Sequence, residues 1–432
     1  MKLSNFNVYL KWKNELFIYN TLSGGVLHLN KEYSNKFKVL EKDVEAIHQF
    51  PDLQANLEKG KMILNDNINE VQTLLTYNNL IRFGNKAYIL TLAPTMKCNF
   101  ICPYCYEVNK SYPKMDRIII DKIKLLFKEK SKDKKSLHIS WYGGEPLLAF
   151  DIIKELSLAA IDTYGENYSS SMVTNGYLFD DKIIETLEEL RINDIQITLD
   201  GPPEIHNKRR KLPNEEDTFF VILQNMQRIL ELTKNVHINI RINTDKENIK
   251  YVDEILSYLD QYQIRDKVGL YLAPVDNING TCNSSTCLNN VEFAKAQLDF
   301  IERNMKKGYN YFSLPYTNYG ICGAVAYDNY VIDALGDIYK CWDDIACPER
   351  KVGNILDNEE SWMVENLTKW LSYDIQKDDT CMKCNFLPLC MGGCPNSFLR
   401  NNTRKCIPIK ENAEDFIKVL YEMSLAEKVT NK

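Results

Sequence analysis

Six times between Tyr88 and Lys307 a short run rich in β-branched and aromatic residues is followed by a longer amphipathic one, and this alternation leaves few folds open to the chain. The short runs are 88–94 (YILTLAP), 136–142 (SLHISWY), 169–173 (SSSMV), 195–199 (IQITL), 236–243 (VHINIRIN) and 267–274 (KVGLYLAP). Helical periodicity covers Asp116–Lys130, Asp151–Tyr164, Asp180–Leu190, Asp217–Thr233, Lys246–Leu259 and Val291–Lys307. Strands that alternate with helices of this length pair in parallel, with the crossover helices packed outside the sheet. The expectation is an α/β fold centred on a partial (β/α)6 barrel over residues 87–309.

Residues 1–86 follow a different rule. NVYLKW, LFIYN and GVLHLN alternate in period two and are separated by the turn-like KNE and SGG, which predicts a small α+β module of winged-helix-like type. Beyond Lys307 eight cysteines fall between Cys322 and Cys406 among Gly, Pro and Asn. A loop-rich domain over 310–411, stapled by metal more than by an apolar core, fits that stretch. A last helix, about Glu411–Lys428 within 412–432, is expected to pack back on the body. No period of 20 to 50 residues recurs, which argues against a solenoid or propeller.

Charge and hydropathy remove several function classes. The 432 residues carry 53 basic and 59 acidic side chains, a formal charge of -6, so no electrostatic footprint for nucleic acid is present. No apolar run approaches the roughly 18 residues of a membrane span, and MKLSNFNVYLKWKNE lacks the apolar stretch of a signal peptide. A cytoplasmic location without membrane attachment is expected. Thiols stay reduced there, so thirteen cysteines read as metal ligands or redox groups before they read as disulfides.

The first cysteine group is Cys98-x3-Cys102-x2-Cys105, directly after the first barrel strand. Three thiolates can hold three corners of a cubane iron–sulfur cluster and leave the fourth iron open to a small molecule. A zinc site or three unrelated core thiols are the alternatives. Polar motifs close the following strands in the same way: Gly143-Gly144-Glu145-Pro146, Thr174-Asn175-Gly176 and Thr198-Leu199-Asp200-Gly201. In parallel barrels the carboxyl ends of the strands share one active face. Arg241 sits in the alternating run of the fifth strand, either on that face or as a rim residue paired with an acid. His206 with Lys208, Arg209 and Arg210 reads as a solvated basic loop, with substrate contact as the other option.

These residues resemble the radical S-adenosylmethionine superfamily over roughly Tyr88 to Lys307. Cys98, Cys102 and Cys105 match its C-x3-C-x2-C motif, with Tyr104 at the aromatic position, and Gly143–Pro146 match its GGE motif. The resemblance implies a [4Fe–4S] cluster whose open iron chelates the amino and carboxylate groups of S-adenosylmethionine. One electron then cleaves the sulfonium to a 5′-deoxyadenosyl radical that abstracts hydrogen from an unactivated C–H bond. By the same analogy Tyr104, Gly143, Gly144, Glu145, Pro146, Asn175, Thr198, Asp200 and Arg241 contact the cofactor.

The later cysteines run Cys322-x13-Gly336-x4-Cys341, then Cys381-x2-Cys384-x5-Cys390-x3-Cys394, then Cys406. One zinc site uses only four thiols, so two metal centres are expected, with a zinc ribbon as the competing reading. The array resembles the SPASM extension of radical enzymes at every spacing. Carried over, Cys381, Cys384, Cys390 and Cys406 hold one auxiliary [4Fe–4S] cluster, and Cys322, Cys341 and Cys394 hold another, for three clusters in all. The second lacks a fourth ligand within the motif, and Cys347, Cys282, Cys287 or the substrate are the candidates, unless these three are ordinary thiols.

In the family the SPASM extension accompanies enzymes that modify peptides. The expectation is a maturase that installs a thioether or carbon–carbon crosslink on a ribosomally made precursor, its leader pairing with the edge of the N-terminal strands. A reductant such as flavodoxin or ferredoxin is implied. An anaerobic sulfatase-maturing enzyme is the alternative, lowered because Trp342 follows Cys341 where those enzymes carry an aspartate, with Asp343 one step displaced. A zinc-stabilised binding protein without catalysis is the third. Tyr311, Phe312, Tyr316 and Tyr319 precede Cys322 as aromatic candidates for peptide contact or for core packing.

Overall fold

The computed structural model describes residues 1–84, 86–107, 113–276, 285–309, 317, 319, 322–358, 362 and 364–430, with side chains through 425. Cys282, Tyr311, Phe312 and Tyr316, named above as candidates, lie outside the described residues.

The N-terminal part opens with β1 (Lys2–Leu3) and a three-stranded meander, β2 (Asn7–Trp12), β3 (Glu15–Asn20) and β4 (Val26–Leu29). Lys13 and Asn14 both take positive φ, 51° and 65°, between the paired Trp12 and Glu15. Two left-handed residues in a two-residue loop match the right-handed twist of the flanking strands, which is why KNE turns the chain tightly. Next come α1 (Lys31–Leu40), α2 (Pro51–Lys59), β5 (Ile63–Leu64), which pairs with β1, and α3 (Glu70–Gly84). Alternation divides the meander between two cores. Leu16, Ile18 and Leu29 pack with Phe37, Leu40, Leu53 and Leu57, whereas Val8, Leu10, Phe17 and Tyr19 join the main core of the molecule.

Six parallel strands follow: β6 (Ala87–Leu92), β7 (Ser136–Trp141), β8 (Tyr168–Thr174), β9 (Ile192–Thr198), β10 (His237–Thr244) and β11 (Val268–Pro274). They pair in sequence order, as the alternation predicts, with α4 (Arg117–Lys130), α5 (Phe150–Tyr164), α6 (Asp181–Thr186), α7 (Pro203–Arg209), α8 (Phe219–Leu232), α9 (Ile255–Gln261) and α10 (Asn290–Met305) in the crossovers and after the last strand. Asp116, Asp180 and Asn289 accept the orphan N–H groups of Ile119, Ile183 and Glu292, fixing where α4, α6 and α10 begin. Along β7, Leu137, Ile139 and Trp141 are buried while Ser136, His138 and Ser140 face the other side. A parallel sheet covered on both faces reads as continuous apolar runs; here one face is polar because it lines an open concavity.

The cysteine-rich part does not stand apart from this sheet. β12 (Asn329–Ile332) pairs in parallel with β6, and β13 (Asp337–Tyr339) and β14 (Gly353–Asn354) extend it antiparallel, giving the nine-stranded order β11-β10-β9-β8-β7-β6-β12-β13-β14. Four short helices follow, α11 (Val364–Leu371), α12 (Asp379–Met382), α13 (Leu387–Cys390) and α14 (Pro395–Asn401). Finally α15 (Ala413–Thr430) returns to the meander, with Phe416 against Tyr19 and Tyr421 edge-on to Phe17. The N-terminal part also touches the cysteine loops: Thr21 Oγ1 donates to Asn385 O at 2.5 Å, and Phe6, Leu74 and Leu75 cluster with Ile375, Leu387 and Met391.

Candidate functional site

A cavity of about 620 Å³ occupies the concave face at the carboxyl ends of the strands. Cys98, Cys102 and Cys105 line it with Tyr104, Gly143, Gly144, Asn175, Thr198 and Arg241. Trp342, Asp343 and Cys394, from the second cysteine group, line the same cavity. Glu145, Pro146 and Asp200 lie behind the wall, buried.

The glycines act on the protein's own backbone. Gly143 has φ +121°, and a Cβ there would sit 2.3 Å from Thr95 O; a Cβ on Gly144 would sit 2.4 Å from both Met96 O and Lys97 O. Gly144 N donates to Thr95 O at 3.2 Å and Glu145 N to Lys97 O at 2.9 Å. Two residues without side chains are thus what lets the 95–97 segment, which leads into Cys98, lie flat on the end of β7.

Glu145 ties the next strand to this one. Its carboxylate accepts from Thr174 Oγ1 at 2.7 Å, Asn175 N at 2.8 Å and Leu147 N at 3.0 Å. Burial pushes its pKa above the carboxylate range, against these hydrogen bonds. Asn175, so positioned, donates from Nδ2 to Asn99 Oδ1 at 2.7 Å and reaches Cys98 Sγ at 4.0 Å.

Asp200 plays the same part for the fourth and fifth strands. Its carboxylate accepts from the Tyr104 hydroxyl, from Asn243 N at 3.1 Å and from Arg209 Nε at 3.4 Å. Arg209 also pairs with Asp245 at 2.7 Å, and Arg210 donates to Tyr104 at 3.1 Å. The expected solvated basic loop is therefore corrected: α7 folds it inward, Arg209 is buried among acids, and of the three cations only Lys208 is exposed. His206 is fully buried, its Nδ1 accepting from Asp200 N at 3.2 Å. Burial, with Arg210 and Arg209 nearby, holds it well below the usual imidazole range, so it is neutral. Burial likewise lifts the Tyr104 phenol, with Asp200 adding to the effect. The sequence offers one signal for this network, His206 and Arg209 three residues apart on a short helix that follows the strand end carrying Asp200.

Two donors beside the cavity have no acceptor among the described residues, and a further cation lacks an acid. Arg210 Nε and Asn99 Nδ2 are buried without a partner, and Arg241 directs Nε to Asn243 Oδ1 at 2.8 Å with no acid paired to it among the described residues. Three thiols beside surplus donors fit a cluster and a ligand that carries a carboxylate and further acceptors.

The later thiols fall into two neighbourhoods. Cys390 is pushed up by burial first, with Cys406 and Cys384 contributing; Cys381 is pushed up to about 11, again by burial first, with Cys390 and Cys384 among the contributors. Cys322 is raised by burial and Cys394, and Cys341 by burial, Asp343, Asp344 and Cys322. Cys347 is raised by burial, and the charges around it are Arg350, Glu349, Asp344 and Arg400. Cys287 is half-buried just ahead of α10. Among the described residues no three His, Cys, Asp or Glu side chains converge as they do on one bare ion, so the grouping rests on these shared surroundings.

Comparison with known proteins agrees with this geometry. Residues 92–259 match the Radical SAM superfamily. The radical SAM cyclopropyl synthase TigE of Paramaledivibacter caminithermalis is 22% identical over 440 residues, 90% of this chain and 88% of that one. A cysteine-type anaerobic sulfatase-maturating enzyme of Clostridium perfringens is 25% identical over 352 residues, 73% of this chain and 88% of that one. The structure of SuiB from Streptococcus suis bound to its precursor peptide SuiA superposes with a TM-score of 0.56 at 16% identity, covering 94% of this chain and 98% of SuiB. Residues 92–259 are accordingly a radical SAM domain, with the [4Fe–4S] cluster and S-adenosylmethionine that such a domain uses, and the chain that carries it is a radical SAM enzyme.

Proposed function

We propose that this enzyme is a peptide maturase that forms a thioether or carbon–carbon crosslink in a ribosomally made precursor. The observation that carries the reading is the shared chamber: the first cysteine triplet and Cys394, Trp342 and Asp343 line one cavity. Cys98, Cys102 and Cys105 would hold the cluster that binds S-adenosylmethionine. When bound, that pair supplies hydrogen abstraction from an unactivated C–H bond. Arg241, Arg210 and Asn175 offer donors to its carboxylate and ribose, while Asp200 and Glu145 hold those donors from behind. Cys381, Cys384, Cys390 and Cys406 would ligate one auxiliary cluster, and Cys322, Cys341 and Cys394 the other.

A peptide fits better than a small molecule because the chamber is bordered by three separate parts of the chain, and because TigE and the peptide-bound SuiB share nearly its full length. The meander of residues 7–29 presents β4 as an edge for an extended leader. A ferredoxin or flavodoxin is the matching electron donor. Asp343 in the chamber favours a second reading, oxidation of a Cys or Ser in a folded sulfatase.

Co-expression with short precursor candidates, followed by mass analysis, tests the proposal. Loss of two hydrogens within one peptide supports crosslinking; an aldehyde on a sulfatase peptide supports the second reading. Anaerobically reconstituted protein should hold about twelve irons, as three four-iron clusters. A colourless, air-stable protein with zinc and no iron overturns both readings.

A further inference from the structure

Three aromatic residues in the chamber are not among those assigned above to the cofactor. Tyr106 directly follows Cys105, Tyr142 directly precedes Gly143, and Trp342 directly follows Cys341. The Tyr106 and Tyr142 hydroxyls are hydrogen-bonded to each other. The Tyr142 ring lies 6.3 Å from the Trp342 indole at an interplanar angle of 24°. All three line the cavity, so they form a continuous aromatic wall from the first cysteine loop to the second. Burial lifts both phenols above their usual range, which keeps them neutral and fixed as a pair.

Trp342 is the outer member of this wall and stays 49% exposed. An indole backed on one face by a fixed ring, with much of its surface left to solvent, offers a rigid apolar plane at low entropic cost to whatever enters. The chamber is also lined by Pro274, Val275 and Asp276 at the end of β11, the opposite margin of the barrel strands from β6 and β12. Asp276 and Asp343, the latter beside Trp342, line the same cavity, so the two margins face each other across it.

We propose that Trp342 is the residue that grips the substrate peptide next to its reacting position, taking a flat or aliphatic side chain on its open face with Tyr142 and Tyr106 as the backing. This rests on the peptide-maturase reading and names the chemistry of its substrate: a segment with an aromatic or branched aliphatic residue beside the modified one. Trp342 occupies the place that the sequence singled out as departing from sulfatase maturases, so the acid gives way to a hydrophobic plate.

The test uses reconstituted holoenzyme and three synthetic probes, acetyl-Gly-Gly-X-Gly-Gly-amide with X as Phe, Leu or Ser. Binding is read by saturation-transfer NMR and by the indole fluorescence of wild type minus that of Trp342→Phe. Wild type should bind the Phe and Leu probes at least fivefold more tightly than the Ser probe. Trp342→Ala should lose that preference and Trp342→Phe should keep most of it, with iron content and circular dichroism of both variants unchanged. Equal affinities in wild type, or a preference that survives in Trp342→Ala, overturns the proposal. The broader reading fails separately, through absent iron or unmodified precursors, and a peptide preference lost in Trp342→Ala stands even then.

Discussion

Around the deep wall of the chamber, protein groups hold one another: Glu145, Asp200 and Asp245 are buried, and each accepts several hydrogen bonds, from neighbouring strands, from Arg209 or from N–H groups of its own loop. That wall stands on the main apolar core, with Leu90, Ile139, Ile197 and Ile240 wholly buried beneath it. The segment that carries the later cysteines is built otherwise. Its helices α11–α14 span four to eight residues, and polar groups are buried in its loops. Lys340, pulled down to about 7 by burial, ties together Ala326 O, Asn329 O and Tyr327 O, and Asp333 is pushed up to about 6. One region is shaped by packing; under the proposed reading the other would take much of its stability from metal held by its cysteines.

The sharpest way to separate the two is through the cysteines. Cys98→Ala should reduce S-adenosylmethionine cleavage by at least a thousandfold, to background, and lower iron by about four per chain while the thermal midpoint moves by only a few degrees. Cys406→Ala, or iron removal with a chelator, should make the stretch from Cys381 to Cys406 protease-sensitive and leave amide protection of β7–β10 in place. Equal loss of protection in both regions would erase the contrast.

Substitutions in the wall come next in size. Asp200→Ala strips the carboxylate from Arg209 and from the Tyr104 hydroxyl, and should cost roughly 3–5 kcal/mol by urea unfolding because a buried cation loses part of its compensation. Gly144→Ala should cost about 1–3 kcal/mol and weaken cofactor binding, since the carbonyls of Met96 and Lys97 must retreat.

The smallest expected effect is a pH dependence. His206 is kept neutral in the fold, whereas the unfolded chain takes a proton below about pH 6.5, so stability is present above that value and is lost as pH falls through it. The slope is at most about 1.4 kcal/mol per pH unit. His206→Asn, whose Oδ1 replaces the acceptor Nδ1, should flatten it between pH 5 and 6.5; an unchanged slope would place the titrating group elsewhere.

The strands and helices of the barrel were legible because burial on one side only leaves a period-two record in each strand, and Asp and Asn caps mark the starts of α4, α6 and α10. Turn chemistry made the meander equally plain. The fate of Lys208–Arg210 was not legible: a run of three cations reads as solvated, and the acids that draw Arg209 inward, Asp200 and Asp245, lie 9 and 36 residues away along the chain. The addition of β12 to β6 escaped for a related reason, since four residues among loops carry too short a pattern to announce a partner more than two hundred positions earlier. Glu145 matched a motif, but that it braces Thr174 and Asn175 from behind the wall depends on the path of β8, which no local pattern reveals.

The ladder between β6 and β12, with Asn329 opposite Ile89 and Ile332 opposite Leu92, has a geometric corollary. Because facing direction repeats only every second residue, the gap between the two thiol-bearing loops is adjustable in quantised steps, like the jaw of a ratcheted wrench. Engineering this scaffold to accept a bulkier substrate would then call for paired insertions or deletions flanking β12, since single ones would turn its inward side chains to the opposite face.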